Sequence, residues 1–193
     1  AARFSASNCV LKRPNKCATA HNSQDIIHRK SAMQVQDRTF LITGAASGLG
    51  AATAERLVKA GGKVVLCDMS DRVTDLAFQL GAQAQACIAD ITSADAMQEA
   101  VNKAVALGGE SGLSGVVHCA GVVSVAKLVD RHGHPADLEA YARTIQINLV
   151  GTFNVMRLAA ATIEVANRAL DESLALHQRL LLTQRRRRRT MEF

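Results

Sequence analysis

Phe40-Leu41-Ile42-Thr43-Gly44-Ala45-Ala46-Ser47-Gly48-Leu49-Gly50 decides how this chain is read. A short apolar run, Phe40-Leu41-Ile42, leads into three glycines. It leaves them through Ala51-Ala52-Thr53-Ala54-Glu55-Arg56-Leu57-Val58-Lys59-Ala60, a helical pattern. The order is strand, glycine-rich turn, helix. Glycine lets a backbone turn tightly and approach a ligand closely. The first turn of the helix presents unpaired N–H groups and a partial positive charge, which suits a pyrophosphate. The spacing is G-x-x-x-G-x-G, a variant of the commoner G-x-G-x-x-G dinucleotide fingerprint.

The next informative residue lies downstream. Lys63-Val64-Val65-Leu66-Cys67 reads as a second strand, and Asp68 follows it, 18 residues after Gly50. Dinucleotide-binding folds place a carboxylate about 20 positions beyond the turn, where it bonds the ribose hydroxyls. A carboxylate there favours NAD, because it repels the extra phosphate of NADP. The alternative for Asp68 is a loop or capping residue ahead of the next helix.

The opening Thr43-Gly44 with its glycine spacing resembles the T-G-x-x-x-G-x-G of the short-chain dehydrogenase/reductase family. Three later segments are similar to that family in the same order. Ile88-Ala89-Asp90-Ile91-Thr92 resembles its third strand and D-[VI]-[TS] turn. Val116-Val117-His118-Cys119-Ala120-Gly121 resembles its fourth strand and N-N-A-G turn, with His118 and Cys119 in place of the two Asn. Ile147-Asn148-Leu149-Val150-Gly151 resembles the N-x-x-G segment of its long fifth helix. The wording of these segments is most like the type-2 3-hydroxyacyl-CoA dehydrogenase branch.

The resemblance implies an α/β fold, a three-layer Rossmann-type doubly wound parallel sheet. It also implies NAD as cofactor and hydride transfer from a secondary alcohol such as 3-hydroxyacyl-CoA. Cofactor contacts are implied at Gly44, Ser47, Gly48, Leu49 and Gly50 of the first turn, and at Asp68. Asp90 and Ile91 would flank the adenine, and Cys119, Ala120 and Gly121 would line the fourth strand's exit. Of the catalytic set only Asn148 carries over, as the residue holding a water in the proton relay.

The resemblance covers roughly residues 36–160. The family's catalytic Tyr-x-x-x-Lys has no counterpart in it or after it. Tyr141 is the only tyrosine, Ile145 stands four positions on, and none of the seven lysines has a tyrosine four residues before it. The family's catalytic serine has no candidate either. The resemblance thus implies a truncated sheet with strands in the family's order 3-2-1-4 and later strands missing. Strand four, expected over Leu113–Val117 and buried on both faces, then becomes an edge.

Composition divides the chain. Residues 33–167 hold ten basic and thirteen acidic side chains, whereas residues 1–32 hold six and one and residues 168–193 hold seven and three. The net charge of +6 therefore lives in the flanks, which argues against a nucleic-acid surface on the core. Residues 1–32 read as a disordered basic leader or spurious extension, with a mitochondrial transit peptide as the alternative; Met33 offers an internal start. Residues 33–167 read as the NAD-binding domain and 168–193 as a divergent helical, basic tail. Within that tail Arg185–Arg189 reads as a solvated, disordered run, with nucleic-acid binding as the lesser alternative.

Five cysteines, an odd number without a C-x-x-C pair, suit a reducing compartment. The expected location is cytoplasmic, with the mitochondrial matrix as alternative. No apolar run approaches the ~20 residues that span a membrane. His132-Gly133-His134 lacks accompanying ligands and reads as a solvent loop rather than a metal site. His118 reads as a packed strand-end residue rather than a base. From Asp137 a helical pattern runs through Ile145, Leu149, Phe153 and Met156. Its apolar stripe is the expected surface for a homo-oligomer or a full-length family partner. Three function classes stay open: an NAD-dependent oxidoreductase, a non-catalytic NAD-binding or oligomerising product, and a basic-tail nucleic-acid binder resting on the arginine run alone.

Overall fold

The computed structural model describes residues 34–124 and 126–190. The predictions for residues 1–32, with Cys9 and Cys17, fall outside them. Strands β1 (Thr39–Thr43), β2 (Lys63–Asp68), β3 (Ala84–Ile88) and β4 (Gly115–His118) form one parallel sheet in the order β3-β2-β1-β4. The helices are α1 (Gly48–Lys59), α2 (Arg72–Leu80), α3 (Ala94–Gly108), α4 (Leu138–Ile145) and α5 (Thr152–Thr190). A π-helical turn, Gln146–Gly151, joins α4 to α5.

Side chains alternate across the strands, so each strand feeds two cores. Ile42, Val64 and Leu66 pack with Ala54 of α1 and with Val73 and Ala77 of α2. Leu41, Val65 and Cys67 pack on the other face with Met97, Ala100, Val101 and Ala104 of α3 and Val155 and Ala159 of α5. Helices therefore cover both faces of the sheet, giving the three layers. The continuous apolar runs of β1 and β2 follow from that double cover. Toward the sheet α1 buries only Gly50 and Ala54, residues small enough to bring the helix close. Ser93 starts α3 by accepting the Ala96 N–H at 3.3 Å.

The structure corrects four expectations. The third strand is Ala84–Ile88, so it begins earlier than the Ile88–Thr92 segment, and Ala89 joins the Asp90-Ile91-Thr92 turn, which stands where it was expected. Its Ala84-Gln85-Ala86 carries little strand signal, and pairing with β2 (Leu66↔Ala86, Cys67↔Cys87) supplies what composition does not. Strand β4 begins at Gly115 rather than Leu113, and its residues are half-buried because it pairs with β1 alone. The arginine run is helical: α5 continues to Thr190. No glycine follows Gly151 and no proline follows Pro135, and Leu, Ala, Gln and Arg are strong helix formers. Finally, one helical stretch, Leu138–Ala175, is long and apolar enough to cross a membrane by length and composition, with mean hydropathy 1.3. Within it Asn154, Val155 and Ala159 are buried in the protein core.

Candidate functional site

The site begins where β1 ends. Gly44 has φ 67°, and a Cβ there would lie 2.6 Å from the Ala120 nitrogen and 2.7 Å from the Cys119 carbonyl carbon. Only glycine permits both the left-handed backbone and this approach. The first turn is thereby set against the exit of β4, and the Cys119 N–H donates to the Thr43 carbonyl at 3.1 Å. Gly50 seats α1 on the same turn, since a Cβ there would overlap the Gly44 carbonyl oxygen. Ser47 occupies the N-cap of α1 without giving its side chain to the helix, and the first turn carries no acidic residue. The unpaired N–H groups and positive end of α1 therefore face outward uncompensated.

Asp68 closes the second side. Its Oδ2 accepts the Ala46 N–H and its Oδ1 the Ser70 N–H, each at 3.0 Å. The carboxylate thus pins the glycine turn while each oxygen keeps a further lone pair. The third side is the turn after β3. Asp90 Oδ1 accepts the Thr92 N–H at 2.8 Å. Behind this turn stands α5: buried Asn154 donates through Nδ2 to the carbonyls of Ile91 (2.8 Å) and Ser93 (3.2 Å). Gly151 leaves room for Ile91, whose Cδ1 would lie 2.8 Å from a Cβ there.

The fourth side is Cys119-Ala120-Gly121. Asn148 clamps the next residue along, accepting the Val122 N–H on Oδ1 at 2.8 Å and donating Nδ2 to the Val122 carbonyl at 2.7 Å. Together these segments wall one cleft of about 380 Å³. All eleven cofactor-contact residues expected from the sequence lie on it, and Asn148 stands behind the wall rather than on it. Sequence reading missed Met69, Ala89, Val122 and Ile147, which also line the cleft. All four sit beside or within the motif segments, so motif edges carried the signal that could have found them.

Among the described residues the lining holds two carboxylates, Asp68 and Asp90, and no lysine or arginine. An anionic ligand would therefore rest on backbone N–H groups and the α1 dipole rather than on side-chain cations.

His118 lies just off the cleft, with Nδ1 at 2.7 Å from Thr43 Oγ1 and Nε2 at 2.9 Å from Thr152 Oγ1. Burial pushes its imidazole below the ordinary value of 6.5. Both nitrogens are engaged, which fits the packed role expected for it. The His132–His134 loop is exposed; the Asp130 carboxylate accepts the N–H groups of His132 (2.7 Å) and His134 (2.9 Å), which holds its carboxyl low. Cys67 is buried, and burial first, then the nearby Cys87 and Asp68, push its thiol up to about 12.

Residues 38–169 match the short chain dehydrogenase family. The chain belongs to that family. Among short-chain dehydrogenases it is similar to 3-hydroxyacyl-CoA dehydrogenase type-2 of Bos taurus, 43% identical over 129 residues, covering 65% of this chain and 48% of that protein. The Homo sapiens protein of the same name is 41% identical over 128 residues, covering 65% and 48%. The crystal structure of 3-hydroxyacyl-CoA dehydrogenase type-2 from Mycobacterium avium superposes with TM-score 0.62 at 36% identity, covering 69% of this chain and 51% of that one. The chain spans about half the length of the relatives it matches.

Proposed function

We propose that this chain is the NAD-binding part of a short-chain dehydrogenase that oxidises a secondary alcohol such as a 3-hydroxyacyl-CoA. The observation that carries the reading is the single cleft that joins the glycine turn, Asp68, the Asp90–Ile91 turn and the Cys119–Gly121 exit. The residues present fit a dinucleotide. Gly44 and Gly50 let the turn pack backbone to backbone against the β4 exit and α1, the space at Gly48 is open, and the uncompensated start of α1 suits a pyrophosphate. Asp68, with a free lone pair on each oxygen, would take the adenosine ribose hydroxyls and disfavour a 2′-phosphate. NAD, when bound, supplies the hydride acceptor. The likeness to proteins named 3-hydroxyacyl-CoA dehydrogenase type-2 supports the substrate class.

A second reading has its own observation. These 193 residues contain no Tyr-x-x-x-Lys. The one tyrosine, Tyr141, is exposed on α4, in a groove with Leu128 and Leu138 apart from the cleft. General acid–base catalysis contributes roughly 10²–10⁴-fold, and this chain offers no pair to supply it. We therefore propose that the chain as it stands binds NAD without useful turnover. The exposed Leu149, Phe153 and Met156 would serve association with a second copy or a full-length relative.

Calorimetric titration with NAD and NADP, on the unmodified chain and on Asp68→Ala, tests the first reading. NAD should bind more tightly, and Asp68→Ala should narrow the difference; tighter NADP binding by the unmodified chain would overturn it. An assay with 3-hydroxyacyl-CoA and NAD tests the second. Turnover in the ordinary enzyme range of ~1–10³ per second would show that other groups perform the acid–base step.

A further inference from the structure

Sulfur atoms from three elements converge in the core beside Asp68. Cys67 on β2 and Cys87 on β3 are register partners on adjacent parallel strands. Both belong to the core cluster under α3, and Met97 of that helix is fully buried with them. The Cys67 thiol donates to the Met97 thioether, the two sulfurs standing 3.8 Å apart. Further along α3, the Lys103 ammonium donates to the Cys87 sulfur at 3.9 Å. The cleft uses none of these four side chains.

The spacing suits one shared ion. A thiophilic metal binds sulfur at about 2.3 Å, so two sulfurs on one ion stand roughly 3.8–4.6 Å apart as the bond angle opens from tetrahedral to linear. The Cys67–Met97 separation sits at the near end of that range. Paired strands lie about 4.7–4.9 Å apart, and side chains of register partners leave their strands side by side at about that distance. Rotation about χ1 brings two such sulfurs into the range without moving either backbone. A disulfide asks for more: its Cβ atoms stand about 3.5–4.5 Å apart and its sulfurs about 2.05 Å, so the strands would have to be drawn together.

The donor set selects the ion. Among the described residues no histidine or carboxylate completes a group of three ligands with these cysteines. Asp68 is the nearest acid along the chain, and its two oxygens accept the Ala46 and Ser70 N–H groups. Zinc sites take four ligands, commonly with nitrogen or oxygen among them. Two thiolates and a thioether, with no hard donor, favour monovalent copper.

We propose that Cys67, Cys87 and Met97 form a sulfur-only site for Cu(I), with Lys103 as the counter-charge. Binding breaks two S–H bonds and forms two Cu–S bonds to thiolates, with the thioether as third donor. Two protons leave to solvent, copper stays monovalent and no electron moves. The ion and its two thiolates carry one net negative charge, which the Lys103 ammonium answers. Glu99, the other charged group at this place, already pairs with Lys103 at 3.2 Å. Burial pushes the Cys67 thiol up to about 12 and raises that of Cys87, while Lys103 draws Cys87 back. Both thiols therefore hold their protons at neutral pH until the metal displaces them. The three sulfur residues are buried and Lys103 is partly exposed, so the way in runs past Lys103 on the open edge of β3. Once bound, the ion ties β2 and β3 to α3.

Anaerobic Cu(I) titration against a chromogenic chelator tests the site on the full chain. The sequence holds three further cysteines, Cys9, Cys17 and Cys119, so the Cys9→Ser/Cys17→Ser/Cys119→Ser variant is titrated beside the unmodified chain. That variant should still bind one ion, release two protons per ion to a weakly buffered pH indicator, and gain roughly 5–10 °C in Tm at a hundredfold excess of free Cu(I) over Kd. In the same background, Cys67→Ala or Cys87→Ala should weaken binding at least about 100-fold, more than loss of an outer-shell partner costs. Met97→Leu, which keeps the volume, should weaken it by roughly 10-fold. Copper X-ray absorption on the loaded three-serine variant should show three sulfur neighbours at about 2.3 Å, which decides the matter even if an alanine variant fails to fold. No tight ion in the three-serine variant, an affinity indifferent to Cys67 and Cys87, or nitrogen and oxygen neighbours around the copper would overturn the proposal. Tighter binding of Zn(II) than of Cu(I) would overturn the choice of ion.

Discussion

Replacing Gly50 with alanine sets two physical effects against each other, and the sign of the result separates them. Gly50 lies in the first turn of α1, where intrinsic propensity favours alanine by about 1 kcal/mol. The structure argues the opposite. An added Cβ would overlap the Gly44 carbonyl oxygen and lie 2.7 Å from its carbon and 3.0 Å from the Ala45 Cα. All three are backbone atoms, so no rotamer change relieves the contact, and α1 must move off the turn. Overpacking of this kind costs typically 1–3 kcal/mol, and a contact with rigid backbone belongs at the upper end. With the propensity gain subtracted, a loss of about 2 kcal/mol remains. In a domain of this size that corresponds to a Tm lowered by roughly 4–8 °C. Thermal and urea unfolding of Gly50→Ala beside the unmodified chain is the assay. A Tm equal to or above that of the unmodified chain would show that propensity governs the position and that α1 does not rest on the turn.

Asn154→Ala should destabilise the fold by about 2–4 kcal/mol in urea unfolding, since the carbonyls of Ile91 and Ser93 lose a buried donor and Arg157 loses its acceptor; a change under about 0.5 kcal/mol, the range of ordinary surface substitutions, would refute the part assigned to it. Iodoacetamide at pH 8, followed by peptide mass spectrometry, should label Cys119 well before Cys67, because Cys119 is partly exposed in the cleft wall while Cys67 is buried with its thiol pushed up to about 12. Equal rates at the two would contradict the packing of the β2 core.

Much of the fold was legible because its demands are local. The turn from β1 to α1 needs glycine where the backbone is left-handed or crowded, and Gly44 and Gly50 stand at those positions. Asp68 is legible because it ends an apolar strand at a fixed distance from that turn. The strand–turn–helix alternation implied a doubly wound sheet, and the resemblance to the family implied the order β3-β2-β1-β4, which the pairing bears out.

Other features have no local signature. Strand β3 reads weakly by composition and exists through its pairing with β2. The arginine run is helical because nothing after Gly151 breaks the helix, a property of absence that a charged run conceals. Asn148 stood out as a motif residue, yet its side-chain partner, Val122, lies 26 positions away. Nothing in the sequence joins His118 to Thr43, 75 positions before it, or to Thr152, 34 after it. By itself the sequence determined where the backbone turns, which strands are apolar and which acid ends the second strand, because those depend on neighbours along the chain. The tertiary structure alone decided which polar groups meet across the cleft wall, because that depends on strands and helices that come together only when the sheet closes over its core.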